Sequence, residues 1–196
     1  TNSGGWGANG LLLSTTSTSG NIKVYNNIVY DVAAYGFDGG GVADNGNGII
    51  VTSGAGYDID FNSVHMNTDQ TIAGRPSAFN VTSGVTAAGA INLRNNIFAN
   101  TQTVGTNRYS IYSGAAASVY GTINNNDYYS TAGTVGFLGT TQATLANWQA
   151  ASGQDANSKA VDPLFVSAPT NYALLKASPM IRAGVMIANI PWNIMN

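Results

Sequence analysis

Ile91-Asn92-Leu93-Arg94-Asn95-Asn96-Ile97-Phe98-Ala99-Asn100 alternates apolar and polar residues, breaks at a pair of asparagines, and resumes with a second apolar pair. Strict alternation is the pattern of a half-buried strand. Asn tolerates left-handed backbone geometry and bonds its own main chain, so Asn95 and Asn96 read as a corner between two short strands. The phrase returns as Ile22-Lys23-Val24-Tyr25-Asn26-Asn27-Ile28-Val29-Tyr30 and as Ile123-Asn124-Asn125-Asn126-Asp127-Tyr128-Tyr129. A looser version is Ile59-Asp60-Phe61-Asn62-Ser63-Val64. A phrase repeated at intervals of roughly 30 to 36 residues is the mark of a stacked array.

Working outward, each corner is preceded by a further strand-like piece. These are Gly10 to Thr15, Gly48 to Gly54, Ser77 to Gly84 and Tyr109 to Gly114. Each unit therefore reads as strand, small-residue turn, strand, Asn corner, short strand and variable loop. One unit cannot bury its own apolar face, whereas stacked units bury it continuously. The expected fold is all-β, a right-handed parallel β-helix solenoid with one short helix near the C-terminal end. It forms a single domain, with coils over about residues 10–47, 48–76, 77–108 and 109–136 and a helix plus closing coil over 137–196. Thr140 to Ala151 supplies the helix, with Leu145 and Trp148 on one face and Gly153 as its stop.

Composition agrees with strands. Only 8% of the 196 residues are charged, against ~25% in an average soluble domain. Glu is absent, so long amphipathic helices lack their usual wet face. A net charge of −2 with scattered Lys and Arg argues against nucleic acid. No apolar run approaches the ~20 residues of a membrane-spanning helix, so membrane insertion is not expected. With no cysteine there is neither disulfide nor thiolate chemistry. An Asn/Ser/Thr-rich surface and no initiator Met suggest an extracellular, bacterial cell-surface location and a piece of a longer protein.

The Asn coils, the helix around Trp148, Asp162-Pro163-Leu164-Phe165 and Ser178-Pro179-Met180-Ile181-Arg182-Ala183-Gly184 together resemble right-handed parallel β-helix domains of the pectin-lyase-like class. The resemblance is to those in large secreted surface proteins of Bacteroidetes-type bacteria, and it covers nearly the whole chain. It implies neighbouring domains of a longer surface protein, with glycans or a cell-surface molecule as partners. The enzymatic branch of that class cleaves acidic polysaccharides with Ca²⁺ and an Arg or Lys base, or with clustered Asp.

The residues offer several candidate sites. Asn26, Asn27, Asn62, Asn95, Asn96, Asn125 and Asn126 read as structural turns, stacked into an amide ladder like that of cross-β assemblies. If Val24, Phe61, Leu93 and Ile123 face inward, Lys23, Asp60 and Asn92 face outward together, with Arg94 reaching Asp60 diagonally. Lys23, Asp58, Asp60 and Arg94 then form either a surface charge ladder or a ligand site. Asp58 and Asp60, two apart on a strand with His65 and Arg94 near, are the best place for catalysis. Asp38, Asp44, Asn45 and Asn47 in the Gly-rich loop are oxygen donors suited to Ca²⁺, although a Gly/Asn turn explains them equally. The residues favour a non-catalytic structural or display segment of an adhesin or filament. A polysaccharide lyase or hydrolase is the alternative, and a carbohydrate- or ice-surface binder using Thr15, Thr16, Thr18 or exposed Tyr is a third.

Overall fold

The computed structural model describes residues 7–35, 45–72, 74–188 and 190. Successive turns lay down strands in a fixed cycle: β1 (Ala8–Leu13), β2 (Ile22–Tyr25), β3 (Ile28–Tyr30), then β4 (Gly46–Val51), β5 (Tyr57–Asp60), β6 (Ser63–Met66). The cycle continues with β7 (Ser77–Val81), β8 (Ile91–Arg94), β9 (Ile97–Asn100), then β10 (Tyr109–Ser113), β11 (Tyr120–Asn124), β12 (Asp127–Ser130). Every strand pairs in parallel with its counterpart one turn away, giving the orders β1-β4-β7-β10, β2-β5-β8-β11 and β3-β6-β9-β12. This is the parallel β-solenoid that the repeated phrase implies.

The interior is built from matching positions. Val24, Ile59, Leu93 and Ile123 align across the second sheet, and Val29, Val64, Phe98 and Tyr128 across the third. Ile59, Leu93, Val64, Phe98 and Tyr128 are completely buried. Phe98 stacks on Tyr128 with centroids 6.1 Å apart, and Tyr128 tilts against Trp148 at 5.9 Å. Aromatic side chains thus run along the axis from the third turn to the end of the solenoid.

The register of the second turn differs from the sequence expectation. Ile59, not Phe61, shares the inward column with Val24 and Leu93. Phe61 instead occupies the corner, with φ 57°, matching φ 57° at Asn26 and 58° at Asn95 and Asn125. Asn62 is therefore the partner of Asn27, Asn96 and Asn126. The slip arises because the corner of the second turn has one Asn, Asn62, and it takes the second position of the pair.

The stacking atoms also differ. The first Asn of each pair supplies the left-handed corner, and the second supplies the ladder. Asn27 Nδ2 donates to Asn62 Oδ1 at 2.9 Å, Asn62 Nδ2 to Asn96 Oδ1 at 3.0 Å, and Asn96 Nδ2 to Asn126 Oδ1 at 3.0 Å. The same oxygens accept the main-chain N–H of Asn27, Asn62 and Asn96. Asn62, Asn96 and Asn126 are buried, so each bond replaces one that water would otherwise make.

The C-terminal end is closed by β13 (Gly136–Leu138), which extends the first sheet in parallel, and β14 (Thr140–Gln142), which turns back antiparallel to it. The helix α1 is shorter than the sequence suggested, Leu145–Ser152, because Thr140–Gln142 is taken by β14. Thr144 caps its start through a reciprocal pair with Asn147, and Gly153 ends it at φ 70°. Trp148 is fully buried and donates its indole N–H to Asp155 Oδ2 at 2.6 Å.

Among the described residues beyond 160, no strand joins the three parallel sheets as a closing coil. The hairpin of β15 (Phe165–Ser167) and β16 (Asn171–Leu174) lies on the outer face of the third sheet, where Tyr172 meets Tyr30 and His65. The following segment runs back along the corners as a strap. Asn125 Nδ2 bonds Ala183 O at 3.0 Å, and Asn95 exchanges bonds of 2.9 and 2.8 Å with the carbonyl and N–H of Val185.

Candidate functional site

The outer face of the second sheet carries the charged candidates. Parallel register sets Lys23, Asp58 and Asn92 in one column and Tyr25, Asp60, Arg94 and Asn124 in the next. Arg94 is thus the direct neighbour of Asp60 and not its diagonal one. Its Nε and Nη2 each donate to one oxygen of Asp60 at 2.9 Å, a two-pronged pair that matches guanidinium to carboxylate. Asp58 lies between the charges. Its Oδ1 accepts from Asn92 Nδ2 at 2.8 Å and lies 3.5 Å from Arg94 Nη2, while Oδ2 lies 3.5 Å from Lys23 Nζ.

Burial separates these groups. The Asp60 side chain is 1% exposed, against 25% for Arg94, 28% for Asp58 and 45% for Lys23. Burial raises the Asp60 carboxyl above its ordinary value, and the bonds and charge of Arg94 only partly offset this. Those bonds in turn hold the guanidinium more firmly protonated than usual. Strap residues Ile187, Ala188 and Ile190 face the ladder across a cleft of about 300 Å³, whose floor includes Tyr25.

His65 is not brought to this group. It sits on the third sheet beneath the β15–β16 hairpin, with Nδ1 3.1 Å from the Tyr172 hydroxyl and Nε2 2.8 Å from Thr101 Oγ1. Burial lowers its pKa, against the pull of Asp31 and Asp162. The imidazole clasps the hairpin to the solenoid.

Of the Gly-rich loop candidates, Asp38 and Asp44 lie outside the described residues. Asn45 and Asn47 are buried. Asn45 Oδ1 accepts from Gln70 Nε2 at 3.2 Å and from the Arg75 N–H at 2.6 Å. Asn47 Oδ1 accepts from Ser77 Oγ at 2.9 Å and Asn80 Nδ2 at 3.0 Å. Among the described residues, no three His, Asp, Glu or Cys side chains gather where they would hold a metal ion.

Two buried acids escaped the sequence reading. Asp155 accepts from Tyr128, Trp148, Ser158 and Asn126, and so ties the cap to the last rung of the ladder. Asp127 is fully buried, with Oδ1 taking the Val161 N–H at 3.0 Å and Oδ2 without a partner among the described residues. The signal for Asp127 was its place after an Asn pair, where the equivalent turn carries Ile97.

A second, larger hollow of about 660 Å³ lies between the strap and the corner residues, bounded by Phe61, Asn95, Ile97 and Val185. No protein-family model matches the chain, and neither a curated protein nor a solved structure does.

Proposed function

We propose that this chain is a non-catalytic structural segment, a stiff β-helical rod that displays or spaces neighbouring domains of a secreted bacterial cell-surface adhesin or filament. The kinship to pectin-lyase-like domains of Bacteroidetes-type surface proteins belongs to the same proposal and rests on the sequence phrases alone. The observation that carries the reading is the unbroken amide ladder from Asn27 to Asn126, with each rung tied to the next by side-chain and main-chain bonds. The charged candidates are used in the same way. Both oxygens of Asp60 are engaged by Arg94, and both oxygens of Asp58 face donors. An Arg that acts as a base must lose a proton, and Asp60 opposes that loss. A sparse charge of 8% suits a surface exposed outside the cell.

Incubation with polygalacturonate, alginate and related acidic glycans, with and without Ca²⁺, tests the reading. The expected result is no unsaturated product and no new reducing ends; turnover at ordinary enzymatic rates, with median kcat ~10 s⁻¹, overturns it.

A second reading has its own support. Tyr25 stands beside Asp58, Asp60 and Arg94 in the cleft, and an aromatic face next to planar hydrogen-bonding groups suits a sugar ring. Titration with neutral oligosaccharides, against Tyr25→Ala as control, decides it.

A further inference from the structure

We infer that the N-terminal face of the solenoid is a docking surface for one more parallel β-coil, contributed by a neighbouring domain. The inference rests on the display-rod reading and names the partner that such a rod would carry.

Three independent features of the first turn point the same way. First, β1, β2 and β3 are the terminal strands of their sheets, so one edge of each has no partner strand among the described residues. Second, the first turn's apolar residues lack cover that later turns have. Leu11, Leu13, Ile22 and Val29 are only partly buried, while Ile49, Val51, Tyr57 and Val64 in the same columns are 0–1% exposed. Third, the amide ladder is open there. Oδ1 of Asn62, Asn96 and Asn126 each accept two N–H groups from the preceding turn, and no described residue donates to Asn27 Oδ1.

The opposite face is closed. The Asn126 N–H bonds Ser158 Oγ at 2.9 Å, the Ile123 N–H bonds Gln154 Oε1 at 2.9 Å, and Trp148 covers the aromatic column. Head-to-tail stacking of two copies would therefore meet a cap. Face-to-face pairing of two copies would leave the Oδ1 of each Asn27 without a side-chain donor, because Asn27 Nδ2 is already committed to Tyr25 O and Asn62 Oδ1. At the ladder position, two such faces would set acceptor against acceptor. The face fits a coil with its own apolar residues over Leu11, Leu13, Ile22, Val24 and Val29. That coil also carries an Asn whose Nδ2 and main-chain N–H reach Asn27 Oδ1. The turn-to-turn contact within the chain is the template for this interface.

The test uses the whole chain and a synthetic peptide of residues 77–100, which holds two strands, a corner Asn and a third strand. A second peptide carries Asn96→Ala. Amide hydrogen exchange of the chain is followed with each peptide. Exchange in residues 8–13, 22–25 and 28–30 is expected to slow about tenfold with the first peptide and far less with the second. No slowing, or equal slowing with both, overturns the proposal. So does sedimentation showing that the chain alone self-associates through this face. Glycan turnover would remove the rod reading without changing these exchange rates, so the two failures are separable.

Discussion

Ile28, Ser63 and Ile97 hold one place in successive turns, and the fourth turn puts Asp127 there. Burial pushes that carboxyl up to about 7, and Asp162 adds to the rise, while the Val161 N–H and Lys159 oppose it. The Lys159 ammonium itself bonds Pro179 O at 2.9 Å. An acid whose folded pKa exceeds its unfolded value binds protons more tightly when folded. Its contribution is therefore greatest below about pH 4 and is lost as pH rises to about 7. The change is up to about 4 kcal/mol. Asp127→Asn is expected to flatten the pH dependence of urea unfolding between those values; an unchanged slope refutes this. Phe61 makes a second test, since an L-residue other than Gly or Asn in left-handed geometry costs roughly 1–2 kcal/mol. Phe61→Asn restores the pair found in the other turns and is expected to stabilise by about 1 kcal/mol in the same assay. Neither position was legible beforehand. Asp127 appeared only as part of the repeated phrase, and Phe61 looked like a core aromatic because alternation cannot locate a slip of two residues.

At the scale of the element, the paired Asn divides its work. Asn96→Ala leaves the buried main-chain N–H of Asn62 without its side-chain acceptor and removes the Nδ2 donor to Ile59 O and Asn126 Oδ1, while Asn62 Nδ2 keeps Val24 O and Asp60 O. A loss of about 3 kcal/mol or more follows, spread over the second, third and fourth turns. Asn95→Gly keeps the left-handed corner and deletes only the two bonds to Val185. Its cost is about 1–2 kcal/mol, and its signature is faster amide exchange at Val185 with the sheet strands unchanged. If both substitutions destabilise equally, the division of labour is wrong. The corners were readable because Asn is chosen there for backbone geometry and leaves a mark in composition. The strap was not readable. Asn95 and Asn125 hold its main-chain atoms, and main-chain atoms are the same in every sequence.

Across the whole molecule, stability depends on each turn covering the next, and Trp148 is the last cover. It is fully buried against Tyr128 and Tyr120. Trp148→Ala is expected to cost about 3–5 kcal/mol and to expose the fourth turn first, read as accelerated exchange in Tyr120–Asn124 before Tyr57–Asp60. Uniform acceleration along the solenoid would instead indicate a single cooperative unit. The solenoid was legible from the repeat, since periodic phrases survive even where one turn departs from them. The cap was half legible: α1 announced itself through Thr144, Asn147 and Gly153, whereas β14 and the fate of residues 160–190 depended on contacts between distant segments. The ladder also has an electrical consequence. The Oδ1 atoms of Asn62, Asn96 and Asn126 all face and accept from the preceding turn, so the amide dipoles share one sense along the row, even though each Nδ2 beyond Asn27 also donates back to a carbonyl one turn earlier. The positive end of this row meets the Asp155 carboxylate through Asn126 Nδ2 at 3.4 Å. The negative end emerges at Asn27. The solenoid is thus a vector with unlike poles, and a cation or N–H donor approaching along its axis is favoured at one end only.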